Sequence, residues 1–476
     1  MRILLAPLFA VVLAAAGPAD PAVEAALATA GPGTRIGLVV ADDQGKEIVA
    51  IRPDDRFVPA SNTKMFTTAA AFASLDAAAP DGGGGATVRL EGRDVVLAGH
   101  GDARLSSAAD CATDCLSDLA RAVAARTRSI HDVVGDDSAF PDERWPAGMS
   151  WNNMAGRYGT AISALTIDDN VATVTVTPGA PGAAPTMTGD GYYRIDNRAT
   201  TGGMKVALSL TREPGSDLLR VSGTIPPGKA VTLLPGVDDP AYRAAWRLAA
   251  QLRGLGVRVT GRILVRHRPV SPSDDPAQRG TTPAPRPPEQ TVLARLAPPP
   301  LADDLRLTNK VSQNLHAELL LRRVGAVAVS GSGSGSGSVA DGQAVVRAIL
   351  DRAGVDRWSY DFADGSGMSN YNRLTPRAAV RFLRWTQVQP WGAAWRATLP
   401  VGGVDGTLAG RFRGTALDGK LFAKTGTLNA SNAVSGFLIA ASGRTLTFSA
   451  LANDMPEDAS ATAAVDKALL AIAAAN

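Results

Sequence analysis

Residues 59–72 read PASNTKMFTTAAAF. From Ser61 onward the apolar residues Met65, Phe66, Ala69, Ala70 and Phe72 supply the face of a helix running to about Leu75. Ser61 then starts the helix, and Lys64, three positions later, lies on the same face one turn on. A helix N-terminus lends partial positive charge to a developing oxyanion. A serine needs a base to become a nucleophile, and a lysine serves as that base once burial or a second cation lowers its pKa. The plain alternative is an N-cap serine followed by a solvated lysine, which is the commoner meaning of a lone S-x-x-K.

Two further motifs lie far downstream. Ser312-Gln313-Asn314 falls in a helical region, where Ser and Asn two apart face one cleft only at a helix break or short loop; a capping serine is the alternative. Lys424-Thr425-Gly426-Thr427 reads as the start or body of an edge strand. Gly426 there permits close approach of a ligand backbone, and Lys424 supplies a cation for a carboxylate. A turn glycine among solvated polar residues is the other reading.

The rest of the chain organises around these motifs. Residues 34–51 read as two strands about an Asp-Asp-Gln-Gly turn, and residues 432–454 as a hairpin about Ser442-Gly443, followed by a final helix. Between Ser61 and Ser312, which are 251 positions apart, lie a hairpin at 87–99, helix-then-strand units at 116–140 and 242–265, and strands near 171–179 and 204–213, the first strictly alternating. Residues 270–288 look like an exposed linker, and SGSGSGSGS from Ser330 like a flexible insertion.

With 476 residues, the chain is long enough for two or three domains. A net charge of +3 from scattered residues argues against general nucleic-acid binding. No apolar run reaches the roughly 20 residues a membrane span needs. The start, MRILLAPLFAVVLAAAG, has the basic, apolar and small-residue zones of a signal peptide over residues 1–16, so the mature protein is expected in a periplasm or outside the cell. In that setting the two cysteines, Cys111 and Cys115, permit one disulfide, although an i, i+4 pair on a helix sits near the upper end of disulfide reach. The four histidines form no H-E-x-x-H, which disfavours metal hydrolysis.

S-x-x-K, S-x-N and K-T-G in that order form the motif set of the penicillin-recognising serine enzymes. The blocks PASNTKMFTTAAAF, GHGDARL (99–105), GDDSAF (135–140), YGTAISALTIDDN (158–170), KVSQNLHAELLL (310–321), DGSGMSNYNRLTP (364–376), GVDGTLAGRF (403–412) and AKTGTLNASNAVSGF (423–437) together resemble the class C low-molecular-mass penicillin-binding proteins, the D-alanyl-D-alanine carboxypeptidase/endopeptidases. The resemblance covers nearly the whole mature chain. Ala103-Arg104 departs from the family's usual Pro-Thr.

The resemblance implies an α+β fold: a penicillin-binding/serine β-lactamase-like domain from residues 17–80 and 298–476, with a five-stranded antiparallel sheet flanked by helices, and an insertion at 81–297 forming α/β and β-rich accessory domains. It implies Ser61 as nucleophile, Lys64 as base, and the amides of Ser61 and Thr427 as oxyanion hole. Ser312, helped by Lys424, would pass a proton to the leaving amine. Asn314 would hold the substrate amide and orient Lys64. Thr425 and Lys424 would bind the terminal carboxylate of a peptidoglycan stem peptide, with Gly426 at close approach. Trp145 and Arg373 would line the stem-peptide side-chain region. No metal or organic cofactor is implied, and β-lactams are expected to acylate Ser61. A β-lactamase or D-amino-acid esterase would share these motifs, although the long insertion favours the peptidase; a non-catalytic wall-binding protein would not need them intact.

Overall fold

A computed structural model describes residues 21–81, 83–284, 290–327 and 335–476. The signal-peptide segment lies outside the described residues. The central sheet is antiparallel throughout, in the order Leu421–Leu428, Ser431–Ile439, Thr445–Asn453, Arg35–Ala41, Glu47–Ile51. The Ser442-Gly443 hairpin thus supplies two inner strands, and the strand carrying Lys424 forms one edge.

Alternation along these strands builds two cores. Val434, Leu438, Leu446, Phe448 and Ala450 face the first and last helices, Pro21–Ala28 and Thr462–Ala475, whose Leu27, Val465, Leu469 and Ile472 close that side. Each of the Val, Leu, Ile and Phe side chains contributes about 1.5–3 kcal/mol when removed from water. Ala433, Phe437 and Leu451 face the opposite layer, where Met65, Phe66, Leu305, Leu320 and Phe382 come from helices Thr63–Ser74, Leu301–Lys310, Asn314–Val327 and Pro376–Gln387.

The stretches around Asp81 and Pro298 run side by side: the Asp81 amide donates to Pro298 O (3.3 Å) and the Leu296 amide to Ala86 O (2.9 Å). Between them lies a mixed sheet ordered Ile263–Arg268, Val133–Pro141, Asp94–Ala98, Thr87–Glu91, Ala294–Arg295, whose three strands at 94–98, 133–141 and 263–268 are parallel. Helices Leu116–Arg126 and Pro240–Gly254 pack on it through Leu119, Val123, Leu248 and Leu252. Two three-stranded sheets within 174–233 enclose a small core of Val174, Val176, Leu219, Val221 and Ile225.

Three local expectations change. The cysteines are bridged, but across a loop instead of a helix: Cys115 is extended at the start of helix Leu116–Arg126, and Asp114 has φ +57°. The 270–288 stretch is anchored in its described part. It holds two short helical turns, and Arg279 pairs with fully buried Asp341. The end of the Ser-Gly run is likewise packed: Ser338 caps helix Val339–Arg352 by accepting from the Asp341 amide (3.0 Å) and donates to Asp274 O (2.6 Å). Composition suggested solvent, but buried Asp341 recruits both segments because a buried carboxylate requires partners. Residues 285–289 and 330–334 lie outside the described part of these two segments.

Candidate active site

Ser61 lies in a short 3-10 turn, Ala60–Asn62, immediately ahead of helix Thr63–Ser74. Ala60 has φ +46°, a left-handed conformation that a non-glycine residue holds only under constraint. Part of the constraint is Asn62, whose Nδ2 donates to Ser435 Oγ on an inner strand (2.7 Å). One turn into the helix, the fully buried Lys64 Nζ donates to Ser61 Oγ (2.9 Å), Asn314 Oδ1 (2.6 Å) and Ser366 O (2.6 Å). Burial lowers its pKa to about 7; the charges of Asp364 and Glu318 pull the other way and only partly offset burial.

Ser312 and Asn314 share this cleft because the helical region breaks between them. Helix Leu301–Lys310 ends, Ser312 adopts φ +62°, and Asn314 begins the next helix. Asn314 Nδ2 donates to the Tyr158 carbonyl (2.9 Å), so the inserted segment touches the site. Lys424 Nζ, also fully buried, donates to Ser312 Oγ (2.9 Å) and Thr425 O (2.7 Å). Burial, and secondarily the charge of Lys64, push its pKa well down. Thr425 Oγ1 shares a hydrogen bond with Thr407 Oγ1 (2.6 Å). Gly426 is required by space: a Cβ there would lie 2.9 Å from both Pro59 O and the Ser61 amide nitrogen. The edge strand therefore presses on the serine turn, and Thr427 follows on its exposed stretch. An edge strand also leaves one row of backbone groups open for an extended peptide.

The sequence reading missed the groups beneath Lys64. Buried Glu318 accepts the Gly365 and Ser366 amides on Oε1 (3.0 and 2.9 Å) and pairs with Arg322 through Oε2 (3.1 Å). Buried Asp364 accepts from the Gly367 and Ser369 amides and from Asn372 Nδ2 (2.9, 2.7 and 2.6 Å). Together they aim the Ser366 carbonyl at Lys64. Burial, then the neighbouring Glu318, raise Asp364 to about 6. The Asp-Gly-Ser-Gly stretch at 364–367 was the available signal, being a turn composition beside an acidic residue.

Trp145 and Arg373 are placed differently from the other site residues. Half-buried Trp145 donates its indole N–H to Gly159 O (2.9 Å), so it braces the turn that carries Tyr158. Arg373 donates through Nη1 to Asn370 O and Asn372 O (2.7 and 2.8 Å), tying the guanidinium to its own loop. Its hydrogen bonds match a loop-bracing role through backbone carbonyls.

Comparison with known proteins gives a consistent picture. The D-Ala-D-Ala carboxypeptidase 3 (S13) family profile matches residues 21–476. A D-alanyl-D-alanine carboxypeptidase from Actinomadura sp. strain R39 is 33% identical over 448 residues, covering 88% of this chain and 76% of the relative. The D-alanyl-D-alanine carboxypeptidase DacB of Haemophilus influenzae is 26% identical over 438 residues, covering 87% of this chain and 85% of the relative. The crystal structure of penicillin binding protein 4 from H. influenzae superposes with a TM-score of 0.76 at 22% identity, over 94% of this chain and 97% of that one, which shows a shared fold.

Proposed function

The chain belongs to the D-Ala-D-Ala carboxypeptidase 3 (S13) family and is a serine-type D-alanyl-D-alanine carboxypeptidase; we propose that its chemistry runs through an acyl-enzyme on Ser61. The observation that carries this is the buried Lys64 ammonium site, 2.9 Å from Ser61 Oγ, with a pKa near neutrality. About half of such lysines are unprotonated at pH 7 and ready to accept the hydroxyl proton.

In the proposed sequence the Ser61 proton passes to neutral Lys64 as Oγ attacks the carbonyl between the last two D-alanines. The amides of Ser61 and Thr427 hold the resulting oxyanion. When the C–N bond breaks, the departing amine takes a proton from Ser312 Oγ, which Lys424 replenishes. Water then hydrolyses the ester on Ser61. Lys424 and Thr425 hold the substrate's terminal carboxylate. That negative charge opposes the burial that lowers the Lys424 pKa, so substrate binding itself favours the ammonium. The same attack on a cross-link amide gives endopeptidase activity, and a β-lactam carbonyl acylates Ser61 in place of the peptide. Residues 17–80 and 298–476 would form the catalytic domain, 81–297 the insertion, and residues 1–16 the export signal delivering the enzyme to peptidoglycan. Among the described residues no helix is long and apolar enough to cross a membrane.

A labelled penicillin should attach to the tryptic peptide containing Ser61, as read by mass spectrometry. An adduct elsewhere, or none at saturating drug, contradicts the assignment. Incubation with pentapeptide muropeptides and cross-linked dimers then measures the carboxypeptidase and endopeptidase products. Rapid turnover of penicillin with neither product would instead mark a β-lactamase.

A further inference from the structure

Resting on the acyl-transfer reading of the Ser61 cluster, we infer that His316, held as a cation between Asp304 and the inserted segment's Asp169, is a positioning residue for the turn bearing Ser312 and Asn314. His316 is 1% exposed. Its Nδ1 donates to Asp304 on helix Leu301–Lys310, and its Nε2 donates to Asp169 Oδ1 (2.9 Å). A neutral imidazole has one donor nitrogen and one acceptor nitrogen, and an acceptor facing a carboxylate is repelled. Carboxylates on both nitrogens therefore call for both N–H groups.

One cation thus joins three elements: the helix before the break, the helix after it, and the inserted 168–170 turn. Asp169 also accepts from Gln313 Nε2 through its other oxygen (3.2 Å). A single carboxylate of the insertion consequently grips the residues on both sides of Asn314. The break needs such a grip, because Ser312 sits in the left-handed region that side-chain-bearing residues rarely hold. The gripping turn is itself left-handed at Asp168, Asp169 and Asn170, with φ of +49°, +54° and +51°, residue types that tolerate it. The charges facing the ring are Asp304 and Asp169, while Arg104 and Arg323 act on Asp304. Burial alone would discharge the ring; the two carboxylates overcome it and raise the pKa to about 10.

The test is Asp169→Asn in the full-length protein. Asparagine is isosteric, accepts the left-handed backbone and leaves an oxygen for the ring, and the Asp169 side chain is half exposed, so the charge is lost while Gln313 keeps a partner by turning its amide to present its oxygen. The rate constant for Ser61 acylation by benzylpenicillin is measured from pH 6 to 10, together with the ring ¹⁵N shifts of His316. The expected result is that the His316 titration and the alkaline loss of acylation both move down by about one pH unit or more, in register. His316→Gln should acylate at least about tenfold more slowly at neutral pH, the general scale of losing a positioned group. If that variant fails to fold, Asp169→Asn decides alone. An acylation profile for Asp169→Asn that superimposes on the parent's, or a shifted His316 titration with no matching loss of acylation, overturns the clamp. A parent protein not acylated at Ser61 overturns the underlying site reading, and the clamp with it.

Discussion

Replacing Glu318 by glutamine should move the acid limb of acylation to lower pH. Glu318 lies on the far side of one residue from the base: its Oε1 accepts the Ser366 amide at 2.9 Å, and Lys64 Nζ donates to the Ser366 carbonyl at 2.6 Å. Adding a residue's own N-to-O span puts the carboxylate within roughly 8 Å of the ammonium. At an effective dielectric of about 20, one charge at that distance is worth about 2 kcal/mol, or about 1.5 pKa units. Arg322 beside Glu318 offsets part of this, so the expected shift is about one unit. The sign follows from the charge: the carboxylate holds the Lys64 proton on, so removing it lowers the pKa below about 7. Glutamine keeps an oxygen for the two loop amides, so the carbonyl stays aimed. The assay is stopped-flow acylation by a chromogenic β-lactam from pH 4.5 to 9. The parent should rise about 50-fold between pH 5 and 7 and flatten above pH 8, as a base of that pKa dictates. The variant, scaled to its own plateau, should be about tenfold faster than the parent at pH 5. Asp364→Asn should shift the limb in the same direction. A limb that stays put or moves up in both variants refutes the electrostatic reasoning, and a parent rate still climbing tenfold per unit above pH 9 refutes a lowered Lys64 pKa.

Three other outcomes follow from the geometry. Gly426→Ala should slow acylation at least about 100-fold with little change in thermal stability, because its Cβ would push the edge strand off the Ser61 amide; parent-like acylation in a folded variant contradicts this. Arg373→Ala, measured on a stem-peptide mimic and on benzylpenicillin, should lose activity equally on both if the arginine only braces its loop, and on the mimic alone if it also recognises a stem-peptide carboxylate. Asp114 is pushed up to about 9 by burial, then by its side-chain hydrogen bond to Asp102 and the charge of that neighbour. The folded state therefore binds a proton that the unfolded state has lost between about pH 4 and pH 9, and this pair's contribution to stability falls as pH rises through that window. Asp114→Asn should gain in melting temperature over the parent at pH 8.5 relative to pH 4.5, and an equal difference at both pH values would exclude the effect.

What could be read from the sequence tracks the range over which each interaction acts. Ser61 and Lys64 were legible because three residues on a helix fix their relation locally, and Gly426 because glycine in a strand signals close approach. The conjunction of three motifs did the rest, since no single one distinguishes a nucleophile from a cap. The break at Ser312 was legible only as a requirement; the sequence shows no proline or glycine there, and tertiary contacts hold the left-handed backbone. Glu318 and its link to the Ser366 amide were invisible for a different reason, although the turn composition of 364–367 marked the loop itself. They meet across 48 positions through main-chain amides, which any residue could supply. The same holds for the stretches misread as linkers, where one buried carboxylate, Asp341, outweighs the solvent preference of a Pro- and Ser-rich composition.

The insertion shows the limit most clearly. By resemblance, residues 81–297 formed accessory domains between Ser61 and Ser312, with Trp145 the one residue of that stretch expected at the site. Yet the Tyr158 carbonyl holds the Asn314 amide, Asp169 holds Gln313, and Trp145 braces the turn that delivers Tyr158. Asn314 in turn shares the Lys64 ammonium with Ser61. A displacement of the 158–170 segment would therefore reach the base through one side chain, with two hydrogen bonds between the Tyr158 backbone and Lys64 Nζ. Such a short path makes the insertion part of the site's geometry, which is why substitutions at Asp169 or Trp145, neither of which touches Ser61, are the ones expected to separate an intact fold from a competent nucleophile.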